Sequence, residues 1–453
     1  MVVSGSSPPH LDVIDALDGF ARLTRRSPTL DGSVPLRVVQ GCLPFLEGNA
    51  WGLQVGVGLG WRVRRSWQGW RVEPLTEHDS SAGWGLPRSS NPGFQRHEAL
   101  QRLFRARLRA LVARGSLPEG EPWGSLSSVV SVERGLRATV LRVATGLLVR
   151  PAAGLVVRVA RTANRGAWPL DVVETVITDS VRHTPLVLVF RVPTGIDEFR
   201  VEGDLATLSV LPTGTVWRCH PLEARPELAA AHLAFYSPDY FAAKRAGEVT
   251  RKYRKLVSEG GGAPPRAGPE LVEAGPVSYR LGGKVAAVDV SGWREVSSPY
   301  AVATFVNEVA FTARYDGARV ALSWDRPALD RRAEAIRERW EPFVGENDRG
   351  ALWYLTKYFT PHPVGEAHFF VKPAAFVATP PGWSSVVEGP FFATHEVLRG
   401  VVHTDRFHAV PAVFALHGER VAQMPSGTPL LRVMPTPKEL LAPSVALHRF
   451  EEE

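Results

Sequence analysis

A chain of 453 residues with 44% hydrophobic and 22% charged side chains is too long for one ordinary core and too evenly mixed to be disordered or fibrous. Its formal net charge of +7 permits an acidic partner without demanding one, and two cysteines, Cys42 and Cys219, exclude a disulfide framework or a cysteine-built zinc site. With no apolar run near the roughly 18 residues of a membrane span and no basic-then-apolar start typical of a secretory signal, a cytoplasmic protein without membrane association is expected.

In chain order, the stretch Trp51 to Trp84 comes first, with Trp61, Trp67 and Trp70 between its ends and Arg62, Arg64, Arg65 and Arg71 interleaved. Within it, Gly56-Val57-Gly58-Leu59-Gly60 resembles a phosphate loop only superficially. Trp61-Arg62-Val63-Arg64 continues as a strand where a helix would have to open, so a glycine-bent strand is predicted. From His97 to Arg114, Leu100, Leu103, Phe104, Leu108, Leu111 and Val112 keep the three-and-four spacing of one apolar helical stripe, with arginines on the other face. Gly154 to Val159 and Leu186 to Phe190 read as strands.

Ala242 to Leu256 predicts a helix with a basic, solvated face. Ser258 to Pro265 has linker composition. A second helix is expected from about Leu329 to Trp340, and strands at Ala374 to Ala378 and Ala412 to Leu416.

Three blocks recur in the same order. Leu147 to Ala153 matches Phe369 to Ala375; Thr178-Asp179 with Pro185 matches Thr404-Asp405 with Pro411; Leu208 to Thr213 matches Leu431 to Thr436. A common order and a nearly constant offset indicate internal duplication. The expected fold is β-rich (α+β), with two related antiparallel β-sandwich or open-barrel domains in tandem, each with a helix. The first would span 1–256, the linker 257–270 and the second 271–453. The glycine and proline content, which breaks the chain into short segments, favours this over a helix-alternating parallel sheet.

His403-Thr404-Asp405 invites a metal reading, because residues two apart on a strand share a side and could supply a histidine and a carboxylate to a facial iron site, with His408, His417 or His448 as a third ligand. The first copy has Ile177 where the second has His403. What the copies share is Thr-Asp, which suits an aspartate that caps a turn. His362 and His368 have no partner pattern, and no cofactor is expected. Pro380-Pro381-Gly382-Trp383-Ser384 predicts a turn that presents a rigid aromatic. Tryptophan next to arginine binds by stacking and burial. The candidate recognition residues are Trp51, Trp70, Trp383 and Arg406, the alternative being that most of the rings lie in the core or between the two domains. A nucleic-acid partner is not expected, since no reading element accompanies the basic residues.

The segments Phe370-Val371-Lys372-Pro373, Pro380 to Ser384, Thr404 to His408 and Gly427-Thr428-Pro429 to Pro435 resemble a bacterial domain family of unassigned function over roughly Tyr300 to Leu441. Pro44-Phe45 with Asn49 and Gly52 is similar to that family's opening segment. The tandem form resembles the paired accessory proteins of crocagin-type pathways, which make alkaloids from a ribosomal precursor peptide. That resemblance implies a non-catalytic protein that binds a precursor peptide for modifying enzymes. The alternative is a non-haem iron oxygenase using His403 and Asp405.

Overall fold

The structure, a computed structural model, describes residues 8–17, 19–25, 43–75, 92–115, 128–134, 139–162, 164, 170–178, 181–245, 249–259, 267–289, 292–361, 367–390, 392, 394–416 and 421–450. Cys42, Trp84, Asp179, His362, His417 and residues 260–266 of the predicted linker lie outside these residues, as do the side chains of Lys244, Arg245 and Arg251.

The first half contains β1 (Leu11–Asp15), β2 (Ala21–Arg25), α1 (Leu43–Ala50), β3 (Leu53–Ser66), β4 (Gly69–Pro74), α2 (Pro92–Ala113), β5 (Val130–Arg134), β6 (Thr139–Pro151), β7 (Leu155–Ala160), β8 (Asp171–Val172), β9 (Thr175–Ile177), β10 (Thr184–Val192) and β11 (Glu198–Pro212). A connecting region follows, with β12 (Arg218–Pro221), α3 (Pro226–Phe235), α4 (Pro238–Arg245) and α5 (Val249–Ser258).

The second half begins with β13 (Glu270–Glu273), β14 (Tyr279–Leu281), β15 (Lys284–Asp289), β16 (Gly292–Ser297), β17 (Ala303–Val306), β18 (Phe311–Tyr315), β19 (Val320–Trp324), α6 (Arg326–Trp340) and α7 (Arg349–Thr356). It continues with β20 (Phe359–Pro361), β21 (His368–Val371), β22 (Ala375–Ala378), β23 (Trp383–Glu388), β24 (His395–Val397), β25 (Gly400–Val402), β26 (Ala412–Leu416), β27 (Val421–Met424), β28 (Pro429–Pro437) and β29 (Val445–Arg449).

The fold is β-rich, with several mainly antiparallel sheets and no closed barrel. The halves repeat one strand order. In the first, β3-β11-β7-β9 lie side by side; in the second, β17-β28-β23-β25 do. The facing layers are β6-β10-β8 and β21-β26-β24. The long strands β3 and β11 pair along their length with two register shifts, and their second-half counterparts are divided into β17 with β18 and β27 with β28. Gly56 lies within β3 opposite Asp204, so the glycine run is part of a bent strand as its composition predicts. The counterpart of β7 is β23 and not β22, because β23 lies between β28 and β25 as β7 lies between β11 and β9.

Each half encloses its own core between two sheets. Val149, Leu188, Val157 and Leu208 meet in the first, and Phe369, Phe414, Val387 and Val433 in the second. Strands β7, β9, β23 and β25 are buried on both faces, which explains their unbroken apolar runs. Their alternate residues Val156, Val176, Val386 and Val401, together with Trp51, Leu211, Tyr300 and Met434, form a separate apolar layer between the halves.

The division at residue 256 does not follow the packing. β29 pairs in parallel with β1 at the other end of the chain, and β12 pairs in parallel with β13. The hairpin β15–β16 extends the first-half sheet through β9. Helix α3, placed in the first domain by sequence, packs with β13, α6 and α7 around Leu228, Val272, Ile336 and Trp340.

Of the three predicted helices, those at His97 to Arg114 and Leu329 to Trp340 are present as α2 and α6, whereas the one expected at Ala242 to Leu256 falls on parts of α4 and α5. Helix α6 opens where Asp325 accepts the Ala328 N–H, with proline in its first turn. It buries Ala333, Ile336 and Trp340, and the Trp340 indole donates to the Ala274 carbonyl at 2.6 Å. No helix among the described residues is long and apolar enough to cross a membrane.

Candidate functional site

A cavity of about 230 Å³ lies in the second half, under α3, α5 and α7 and against β22, β25 and the start of β26. Phe235, Tyr236, Tyr240, Tyr253, Phe376 and Phe407 supply aromatic surface, and Pro44 and Phe45 of α1 close it from the first half. The aromatic wall is internally packed: Tyr236 lies 4.6 Å from Tyr240 and 4.8 Å from Tyr354, and Phe235 4.8 Å from Phe407, between ring centroids. Such edge and tilted contacts hold rings in fixed orientations.

Helix α1 can reach this position because it approaches β25 at two glycines. A Cβ on Gly48 would stand 2.5 Å from the Gly400 Cα and 2.7 Å from the Arg399 carbonyl oxygen. Polar contacts tie the same corner together. The His403 Nε2 lies 2.8 Å from the Glu47 carboxylate of α1, and the His403 backbone N–H donates to the Tyr253 hydroxyl of α5 at 3.1 Å.

Two basic groups border the cavity among the otherwise apolar side chains. The Lys372 ammonium donates to the Tyr354 carbonyl at 2.6 Å and sits 3.5 Å from that ring's centroid. The second is the Arg399 guanidinium, bonded to Glu388 at 2.9 Å. His232 is 8% exposed and packed on Tyr236, Phe376 and Trp340; its Nε2 has no hydrogen-bond partner among the described residues. Burial, reinforced by the nearby Lys372 and His408, pushes its imidazole down to about 3, so it is neutral at physiological pH.

The repeat supplies an internal control. The corresponding region of the first half lies under α2, against β6 and the start of β10, where Pro185 and Val187 stand for Pro411 and Val413. Side chains of α2, including Phe104, Leu108 and Leu111, fill it down to about 20 Å³. The fold therefore does not require the hollow.

The sequence-predicted residues are not gathered here. Trp51 is 1% exposed in the layer between the halves, with the Arg399 guanidinium 5.1 Å from its ring centroid. Trp51 thus lies inside the packing of the two halves and not at the surface. Trp70 is half-buried on the first core, 5.7 Å from the Phe199 ring; among the described residues of that stretch, the exposed tryptophan is Trp67, at 89%. Trp383 is half-buried at the start of β23. Arg406 is one-quarter exposed, lies 3.9 Å from Asp405 and precedes the cavity residue Phe407.

His403 and Asp405 have separate duties. The His403 Nδ1 contacts the Ser384 hydroxyl at 3.1 Å, whereas Asp405 accepts from the Lys438 ammonium at 2.7 Å and from the Gly382 N–H at 3.3 Å. Among the described residues, no group of three His, Cys, Asp or Glu side chains is placed to hold a metal ion. The segment from α3 through α5, which supplies Phe235, Tyr236, Tyr240 and Tyr253 to the cavity wall, was absent from the sequence-based candidates. Its signal was the cluster Phe235, Tyr236, Tyr240 and Phe241 immediately before the basic helix.

No protein-family model matches the chain, and no curated protein matches it. Among solved structures, a 2'-deoxycytidine 5'-triphosphate deaminase from Agrobacterium tumefaciens is similar over 68% of this chain and 76% of its own, at 9% identity and a TM-score of 0.22. A likeness that slight carries no argument about fold or activity.

Proposed function

We propose that the protein is a non-catalytic peptide-binding protein that holds a precursor peptide while other enzymes modify it, and that the second-half cavity is where the peptide is anchored. One observation carries this reading. The sheet face of Phe370, Pro411 and Val413 borders an aromatic-walled hollow in one copy, whereas the equivalent face of Leu148, Pro185 and Val187 in the other is covered by α2 with only about 20 Å³ left open. Duplication frees one copy to acquire a site while its twin keeps the packing, and a preformed apolar hollow is where ligand groups bury. The resemblance of the Phe370 to Pro373, Pro380 to Ser384 and Thr404 to His408 segments to a bacterial domain family of unassigned function, and of the tandem form to the paired crocagin-type accessory proteins, supports the same function.

Calorimetric titration of the full chain with the peptide encoded by a short reading frame beside its gene tests the proposal, with the peptide's mass measured afterwards. Saturable binding and an unchanged mass are expected. Absence of binding, or a mass change produced by this protein alone, would overturn it.

A further inference from the structure

We infer that the cavity receives one uncharged aromatic ring, the side chain by which the bound peptide is anchored; this rests on reading the cavity as the peptide site. Size sets the first limit. At about 230 Å³ the hollow exceeds the roughly 150 Å³ apolar cavity that accepts benzene and falls short of the roughly 300–1,000 Å³ of sites that enclose a whole small molecule. One ring system fits, and the rest of the peptide must lie outside.

Chemistry sets the second limit. Among the described residues no aspartate or glutamate lines the cavity, so a buried cation would meet no counter-charge there and would face the Lys372 ammonium. An anion would have to leave water for a wall of rings and aliphatic groups. The two bordering cations are already engaged, Lys372 with the Tyr354 carbonyl and ring, Arg399 with Glu388. Desolvation therefore disfavours either sign. The neutral His232 keeps the wall uncharged as well. Ring faces and edges on several sides favour an aromatic guest through offset and edge contacts.

The test uses the full chain and small probes of graded charge: indole and p-cresol as neutral rings, benzoate and benzylammonium as charged ones, each titrated by calorimetry. Two variants fill the hollow from half-buried positions, Leu355→Trp on α7 and Ala409→Phe beside Phe376, with melting curves to establish that each folds. The neutral rings are expected to bind, the charged rings to bind at least about tenfold more weakly, and the neutral rings to lose about tenfold or more in whichever variants fold. No binding of either neutral ring, equal binding of the charged rings, or unchanged binding in the folded variants would overturn the inference. Peptide binding that indole and p-cresol fail to displace would overturn this inference alone. Ring binding without peptide binding would instead defeat the proposed function.

Discussion

The buried charges between the halves show how single residues specify this architecture. Arg158 on β7 and Glu388 on β23 occupy equivalent places, as their registers opposite Ser209 and Arg432 show, and they bond to each other. Glu174 and Arg399, each just before β9 or β25, are likewise opposite in sign. Arg158 also binds Glu174 at 2.8 Å, and Arg432 reaches both carboxylates. Pairing one half with its own copy would set Arg158 against Arg158 or Glu388 against Glu388, so the pattern favours the unlike pairing. Burial alone would raise the Glu388 carboxyl, but Arg158, Arg399 and Arg432 overcome it and hold it at about 2. Glu388→Gln should cost about 3–5 kcal/mol, read from urea denaturation at neutral pH; a loss near zero would show that the network is not coupled to folding. The Glu388 contribution is present above the ordinary glutamate range and is lost as the pH falls toward about 2. His232 acts at higher pH. Its folded-state value near 3 lies below the unfolded 6.5, so the unfolded chain takes up the proton first and stability falls as pH drops below 6.5. Between pH 7 and pH 5 this amounts to about 2 kcal/mol. His232→Phe should remove that part of the pH dependence of the urea midpoint, and an unchanged slope would contradict neutral burial. None of these partners was legible from spacing: Arg158 and Glu174 meet because β7 and β9 are neighbours in one sheet, and Glu388, 230 residues from Arg158, joins them only because the two halves pack.

At the scale of elements, the docking of α1 on β25 can be examined by a single methyl group. Alanine is the better helix former by about 1 kcal/mol, so Gly48→Ala would stabilise α1 if it were solvent-exposed. Here the new Cβ meets backbone at Gly400 and Arg399, and overpacking of that kind costs about 1–3 kcal/mol. The variant is expected to be less stable by about 1–2 kcal/mol and to bind the peptide less well, because Pro44 and Phe45 move with the helix. A more stable variant would show that α1 does not rest on β25. The helices α2 and α6 were legible because an apolar stripe and a cap are local signals. The repeat was legible because β6 and β21 conserve their residues. The exchange of β29 and β12 was not, since neither strand carries a cue for the distant strand it joins. Trp51 misled for a related reason. Its chemistry suits recognition and core equally, and only the packing of the halves decides that it lies inside.

The whole molecule is two copies of one fold related across a shared apolar and ionic layer, each completed by elements that pack on the other. β29 closes the first half onto β1 with the register Leu11 to Val445 through Asp15 to Arg449, and His448 reaches Asp12 at 3.1 Å. A chain ended after Pro443 should therefore melt at a lower temperature, with faster amide exchange in β1; unchanged exchange there would mean that the strand is not integral. The proposed function places the peptide at the asymmetry between the copies. Hydrogen-exchange mass spectrometry of the full chain, with and without the precursor peptide, tests this most directly. Added peptide should slow exchange in α3, α5, α7 and β25 to β26 around the aromatic hollow, and leave the filled counterpart under α2 unchanged. Slowed exchange confined to the first half, or none in either half, would contradict the account.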